Sequence, residues 1–324
     1  MMMTSRMSRM ALFGIFLAPF MSWSTSTAWA WTMVPRPFNM QPKCHGPQRH
    51  RATTRAKSLW TSFQDEDNDA PIHVLMNDQL KCQERCIEFP TLGKVRVLEA
   101  TEESQEHLEQ TAMAIALNLA TKNDDDKPLM KEGDVYGATV WPSSSAVAKY
   151  LLEQKQDWSN TTVVELGAGP GLVSIVAALK GAHVIATDLE PFPLEMARYA
   201  ASTFHNVTLE TQILDLCDYE KTPLPTVDGA ADIVVAADVN YLEETAVGLA
   251  HRTAQALAQG SRVIIGDSPE RPGRPVFLET LQELTGINVE QDVPIIESSG
   301  VALDLGHELP VTILDIQPTI VQKR

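Results

Sequence analysis

The first 64 residues contain no Asp or Glu at all; the first acid of the chain is Asp65. Cysteine is scarce too: Cys44, Cys82, Cys86 and Cys217. One of the four sits in the acid-free leader, so no even set remains for a disulfide framework in the body. No Cys or His pair at ligand spacing follows Cys82 and Cys86, which removes the second half of a zinc site. No metal centre is expected, and the thiols read as reduced and structural, Cys82 and Cys86 being spaced to share a helix face. The longest apolar stretch of the leader, Met10–Met21, has 12 residues, short of the roughly 20 that a membrane-spanning helix needs. There is no internal repeat and no low-complexity tract.

Charge is distributed unevenly. The leader holds eight basic residues (Arg6, Arg9, Arg36, Lys43, Arg49, Arg51, Arg55, Lys57) of the 26 in the chain, so the body sets all 42 acids against 18 cations. Such a body repels nucleic acid and anionic membrane and suits a basic partner, for instance a lysine-bearing protein surface. Residues 1–30 combine a basic start, the apolar stretch and small residues at Ala28-Trp29-Ala30, as a secretory signal does. Residues 31–64 are basic, Ser/Thr-bearing and free of acids, as transit peptides are. The pair, with Trp31 just after the cut, resembles the bipartite leaders of algae whose plastids lie inside the secretory route. A plastid address is expected, the secretory pathway or the mitochondrion being the alternatives, with no membrane association after processing.

Residues 65–133 read as an N-terminal β/α extension. After an acidic linker, short period-2 segments at Ile72–Met76, Cys86–Phe89 and Lys94–Leu98 suggest a hairpin or meander. Glu102–Leu119 reads as a helix, followed by a charged loop over 122–127. From residue 134 to the end the pattern changes. Strand-like runs at 162–166, 183–187, 208–214, 233–237, 262–266 and 311–316 alternate with helical stretches at 144–153, 172–180, 191–204, 243–257 and 276–284. Such alternation implies an α/β fold, a parallel doubly wound sheet with helices on both faces.

The chemistry concentrates after the first of these strands. Thr162–Leu166 runs into Gly167-Ala168-Gly169-Pro170-Gly171 and then directly into a helix. Glycines allow a sharp turn and close approach of a ligand to the main chain, and the free N–H groups of the helix start face that ligand. The spacing is G-x-G-x-G, not the G-x-G-x-x-G of dinucleotide-binding turns, and the G-K-[ST] of a nucleotide triphosphate loop is missing. Acids stand at successive strand ends: Glu165 before the turn, Asp188 after the second strand, Asp215 after the third. A carboxylate at the carboxyl edge of such a sheet can accept both hydroxyl hydrogens of a ribose.

The E-x-G-x-G-x-G run resembles motif I of the class I, seven-strand S-adenosylmethionine-dependent methyltransferases. The resemblance implies a Rossmann-like seven-stranded sheet and S-adenosylmethionine as cofactor. It assigns Glu165, Gly167, Gly169, Gly171, Asp188, Leu189, Asp215, Leu216 and Ala237 to the cofactor, with Glu165 near its methionine part and Asp215 near the adenine amino group. Asp238-Val239-Asn240-Tyr241, a D-x-x-Y, together with Gly137–Pro142 and the Tyr150-Leu151-Leu152 run, resembles the family 16 branch, which includes protein-lysine methyltransferases. Gly266-Asp267-Ser268-Pro269 and Pro272-Gly273-Arg274 resemble a G-D-P-G-R segment found in that branch, interrupted by an insertion. The similarity covers about residues 134–316.

On that resemblance Asp238 and Tyr241 are the catalytic candidates. Methyl transfer needs an unprotonated amine held in line, and positioning supplies much of the rate. Asp238 would hold the amine by a charge-assisted hydrogen bond, and Tyr241 would offer a cation–π face or its hydroxyl. Trp141 would pack near the cofactor, and Asn240 would point to solvent or substrate. The plainer alternatives are that Asp238 caps the following helix with Tyr241 packed beside it, and that Trp141 is a core residue. Three functions stay open: a lysine N-methyltransferase acting as a monomer on a protein, a small-molecule methyltransferase, and a cofactor-binding module without catalysis.

Overall fold

The computed structural model describes residues 70–116, 133–226 and 229–318. The expected signal and transit segments, the acidic linker up to residue 69, residues 117–119 of the expected helix and the expected loop over 122–127 lie outside the described residues.

A seven-stranded sheet carries the site. Its strands are β4 (Thr162–Leu166), β5 (His183–Asp188), β6 (Glu210–Ile213), β7 (Ile233–Ala237), β8 (Arg262–Asp267), β9 (Ile295–Ala302) and β10 (His307–Ile316). They are ordered β6-β5-β4-β7-β8-β10-β9. The central strands are largely apolar, as strands buried on both faces are: every residue of β7 is buried, as are four of the five in β4, where Glu165 is the polar exception. Val163, Val235 and Ile264 point to one face, where α2 (Pro142–Glu153), α3 (Leu172–Leu179) and α4 (Pro191–His205) pack. Val164, Val234 and Val263 point to the other, against α5 (Glu243–Ala258) and α6 (Arg274–Thr285). A further single turn, α7 (Val289–Asp292), precedes β9. The sheet is therefore doubly wound, as its alternating pattern implies.

The parallel expectation fails at one edge. β10 runs antiparallel to β8, and β9 pairs antiparallel with β10. Strand β9 was not legible in the sequence: IIESSGVA is an edge strand, only half apolar and largely part-exposed. Gly300 of β9 passes so close to the start of α2 that a Cβ there would stand 1.8 Å from the Pro142 carbonyl oxygen.

The extension holds β1 (Ile72–Leu75), β2 (Leu80–Phe89) and β3 (Gly93–Ala100), an antiparallel meander, followed by α1 (Glu102–Ala116). Strand β2 begins six residues before the expected Cys86–Phe89 segment. Cys82 and Cys86 both lie on it rather than on a helix, and Cys82 and Cys217 are free thiols. Ile87, Val95 and Val97 share one continuous core with α3 and α4. His73 ties the meander to α4, its Nδ1 lying 3.0 Å from the Tyr199 hydroxyl, and Glu195 of α4 accepts the Met76 N–H at 3.0 Å. Among the described residues no helix is long and apolar enough to cross a membrane.

Candidate functional site

Adjacent parallel strands deliver their carboxyl ends side by side. Leu166 pairs with Thr187 on one side and Ala236 on the other, so the glycine turn lies between Asp188 and Asp238, with Asp215 one strand further out beyond β6. This is the edge at which open α/β sheets bind ligands.

The turn itself requires glycine. Gly167, Gly169 and Gly171 have φ of 68°, 51° and 80°, and a Cβ on Gly171 would come within 2.4 Å of the Ala197 Cβ. Close contact between α3 and α4 thus fixes the third glycine. Glu165 is buried beneath the turn, and its Oε2 accepts the Ser174 N–H at 2.8 Å as well as the Ser174 hydroxyl. It thereby braces the first turn of α3. Burial pushes its carboxyl up to about 8 against these two bonds.

Asp188 accepts N–H groups from Gly169 (2.9 Å) and Glu190 (3.2 Å). Desolvation, with a smaller contribution from Asp134, raises it to about 7. Leu189 and Leu216 are half-buried beside their acids, and Ala237 is buried at the end of β7. Asp215 is exposed and its carboxylate accepts the Cys217 N–H at 2.7 Å.

A wall not foreseen from the sequence comes from the segment before α2. Glu190, itself buried, accepts the N–H groups of Gly133 (2.7 Å) and Asp134 (3.1 Å). This draws a short 3₁₀ turn, Tyr136–Ala138, over the glycine loop. A Cβ on Gly137 would stand 2.5 Å from Pro193 Cγ and 3.7 Å from the Asp188 carboxylate. Asp134 accepts the Tyr241 hydroxyl at 2.5 Å. Burial, Asp134 and Asp188 together raise Tyr241 far above its ordinary value, so it stays a neutral donor.

Trp141 is a half-exposed rim residue rather than core. Its indole N–H reaches the Tyr136 carbonyl at 3.1 Å. Tyr136 bridges the rim, its ring centroid 6.1 Å from that of Trp141 and 5.2 Å from that of Tyr241.

Asp238 does not cap the helix that follows it; Leu242 holds that position. Its Oδ2 instead accepts the Ser143 N–H at the start of α2 (3.1 Å), and its Oδ1 accepts Arg271 Nε (2.6 Å). The backbone of Asp238 is left-handed, with φ 61°. Such a conformation in a residue other than glycine marks a position held by its surroundings. Asn240 points neither to solvent nor to an open cleft: it is fully buried and donates to Asp267 Oδ2 at 2.6 Å.

The donor set suits S-adenosylmethionine. Asp188 offers a carboxylate to ribose hydroxyls, the glycine turn presents main chain without side-chain obstruction, and Asp188 and Asp134 place negative potential beside a cationic sulfonium.

Comparison with known proteins agrees with this geometry. A family model described as lysine methyltransferase matches residues 123–284. Protein N-lysine methyltransferase METTL21A of Danio rerio is 37% identical over 132 residues, 40% of this chain and 58% of that protein. The electron transfer flavoprotein beta subunit lysine methyltransferase of Rattus norvegicus is 34% identical over 150 residues, 44% of this chain and 53% of that one. The chain thus spans about half the length of the curated relatives it matches. Among solved structures, TrmN from Thermus thermophilus aligns with a TM-score of 0.38 at 21% identity, over 52% of this chain and 47% of that chain. With half its length matched by the family model and the motif acids on one sheet edge, the chain belongs to the lysine methyltransferase family.

Proposed function

We propose that this protein is an S-adenosylmethionine-dependent N-methyltransferase that modifies a lysine side chain of a protein. The observation that carries the reading is the placement of Asp238 at the carboxyl end of β7, next to the glycine turn and Asp188 and near the ring cluster of Tyr136, Trp141 and Tyr241. When bound, the cofactor would supply an electrophilic methyl group on sulfur. Asp188 would hold its ribose, Asp215 its adenine amino group, and the turn its methionine part, braced by Glu165.

The chain's own task is then to bind and align an amine. A carboxylate facing aromatic rings selects a cation, and the low dielectric of the partly closed site strengthens both contacts. The neutral Tyr241 hydroxyl, fixed by Asp134, keeps its ring upright at the mouth. A protein substrate is favoured over a small molecule because Tyr136 and Leu242, 49% and 54% exposed, leave apolar surface at the rim for a protein to cover. The acidic body suits a basic protein surface and disfavours nucleic acid, and the reading is of a monomer. A plastid is the proposed location, on the composition of residues 1–64; a fusion of those residues to a fluorescent protein that stained the cytosol would remove it.

The test is transfer from tritiated S-adenosylmethionine to proteins of a plastid-enriched extract, resolved on a gel. A labelled band that disappears with Asp238→Ala is expected. Label confined to small molecules would replace the protein substrate with a metabolite, and cofactor binding without any transfer would leave a non-catalytic module.

A further inference from the structure

The segment Ser268–Pro272 interrupts the G-D-P-G-R pattern, leaving β8 directly after Asp267 and rejoining the helix α6 at Arg274. It is firmly seated. The Arg271 N–H donates to the Ser268 carbonyl at 3.1 Å and the Gly273 N–H to the Asn240 carbonyl at 3.0 Å. A Cβ on Gly273 would stand 2.7 Å from the Leu242 carbonyl oxygen, so the turn lies flat against the segment that carries Asp238 and Tyr241.

From this turn Arg271 reaches into the site. Its Nε is 2.6 Å from Asp238 Oδ1, and its guanidinium carbon is 5.0 Å from the centre of the Trp141 ring. The Asp238 side chain is 1% exposed and that of Arg271 17%. Carboxylate and aromatic face together make a cation site, and the chain fills it with its own cation. An arginine guanidinium is a fork of N–H donors with no acceptor, so it fills such a site without serving as an amine nucleophile. The surroundings hold more polar capacity than Arg271 uses: Ser143 Oγ, Asn240 Oδ1 and Asp267 Oδ1 are buried without hydrogen-bond partners. Ser143 gives its N–H to Asp238, Asn240 lies two residues on, and Asp267 interacts electrostatically with Asp238.

We infer, on the reading of the chain as a lysine methyltransferase, that Arg271 occupies the position of the acceptor amine and sets specificity because the substrate must displace it. Breaking a desolvated ion pair costs more than a free amine recovers by replacing it. A folded protein supplies the difference through contacts away from the reacting atom, here at the exposed Tyr136 and Leu242. Free lysine and short peptides are thereby excluded, and the substrate class is a lysine on a folded protein surface.

The full chain carrying R271K tests the position directly. The lysine introduced by that change would lose a proton to water, its nitrogen lone pair would form a bond to the methyl carbon, and the sulfur–carbon pair would return to sulfur. The expected result is one added methyl at position 271, mapped by peptide mass spectrometry, absent from wild type and from the R271K/D238N double variant. Binding gives a second readout that needs no turnover. With S-adenosylhomocysteine present, R271Q should bind Nα-acetyllysine methylamide at least about tenfold more tightly than wild type. A folded R271K that stays unmodified, or an R271Q that binds the amine no better, would overturn the inference while leaving extract labelling by wild type, and so the methyltransferase reading, in place. A wild type that neither binds cofactor nor labels protein would remove both.

Discussion

The Asp188 carboxylate lies 2.9 Å from the main-chain nitrogen of Gly169, linking the end of β5 to the glycine turn that follows β4. The acid that would hold the ribose thus also shapes the loop that would hold the rest of the cofactor. Desolvation and Asp134 raise this carboxyl to about 7, and a ribose hydroxyl donates better to the ionised form. Cofactor affinity should therefore fall as pH drops through about 7, by up to about tenfold per unit below it. Calorimetric titration with S-adenosylhomocysteine from pH 6 to 8 measures this. D188N should bind weakly and without the pH dependence; a wild-type affinity that stays level across the range would contradict the assignment.

Glu165 gives a stability prediction of its own. Its carboxyl has an ordinary value of 4.5 when the chain is unfolded and is pushed to about 8 by burial in the fold. The folded state binds the proton more tightly, so the group's stabilising contribution is full below 4.5 and is lost as pH rises through about 8. The slope is about 1.4 kcal/mol per pH unit for one proton. E165Q carries no titrating proton, so the wild-type-minus-variant difference in unfolding free energy should decline across pH 5–8. Urea unfolding at several pH values reads it, and a difference that does not change with pH would show that Glu165 is ionised in the fold.

Local signals were legible in the sequence and distant ones were not. The β4 strand, the glycine turn, α3 and Asp188 fall within one short stretch in which each residue's role follows from its neighbours. The acids at strand ends could be read because parallel strands align their carboxyl ends. Asp238's partners were hidden: Ser143 lies 95 residues before it and Arg271 33 after it, and no periodicity encodes such a pairing. Glu190 holding Gly133 and Asp134 is another contact of that kind, 57 and 56 residues apart. The one available signal for Arg271 was the interruption of the G-D-P-G-R pattern, which located the turn but not where its arginine points. The strand at 311–316 was legible but its antiparallel direction was not, because alternation of strands and helices carries no information on a strand that returns by a hairpin.

Two glycines with the same backbone sign separate conformational strain from packing. Gly171 has φ 80° and would place a Cβ 2.4 Å from Ala197 Cβ, whereas Gly306, φ 64°, would meet nothing within 4 Å. Gly306→Ala should cost about 1 kcal/mol, from left-handed backbone alone. Gly171→Ala adds overpacking between α3 and α4 and should cost about 2–4 kcal/mol. Thermal melts of both variants check the order. Equal losses would mean that α4 yields freely to the added methyl.

Arg252 of α5 is the largest fully buried side chain near the proposed adenine end. Its Nη1 donates to the Thr222 carbonyl at 2.5 Å and its Nη2 to the Asp215 carbonyl at 2.9 Å. One planar fork therefore clamps both ends of the 215–222 segment, although desolvation lowers its pKa against the pull of Asp215 and Asp218. R252M keeps the stem's apolar packing but leaves two carbonyls without these donors, a loss of about 2–4 kcal/mol. Its greater effect should be on the cofactor: with the segment released, Asp215 is no longer held at the strand end, and S-adenosylhomocysteine should bind more weakly. R252K restores the charge but not the fork geometry, so it should recover part of the stability and little of the affinity. Hydrogen exchange over residues 215–222, read beside the calorimetric affinity, distinguishes the two roles. Faster exchange with unchanged affinity would make Arg252 a strut of the fold alone, and faster exchange with weakened binding would make it a positioning residue for Asp215.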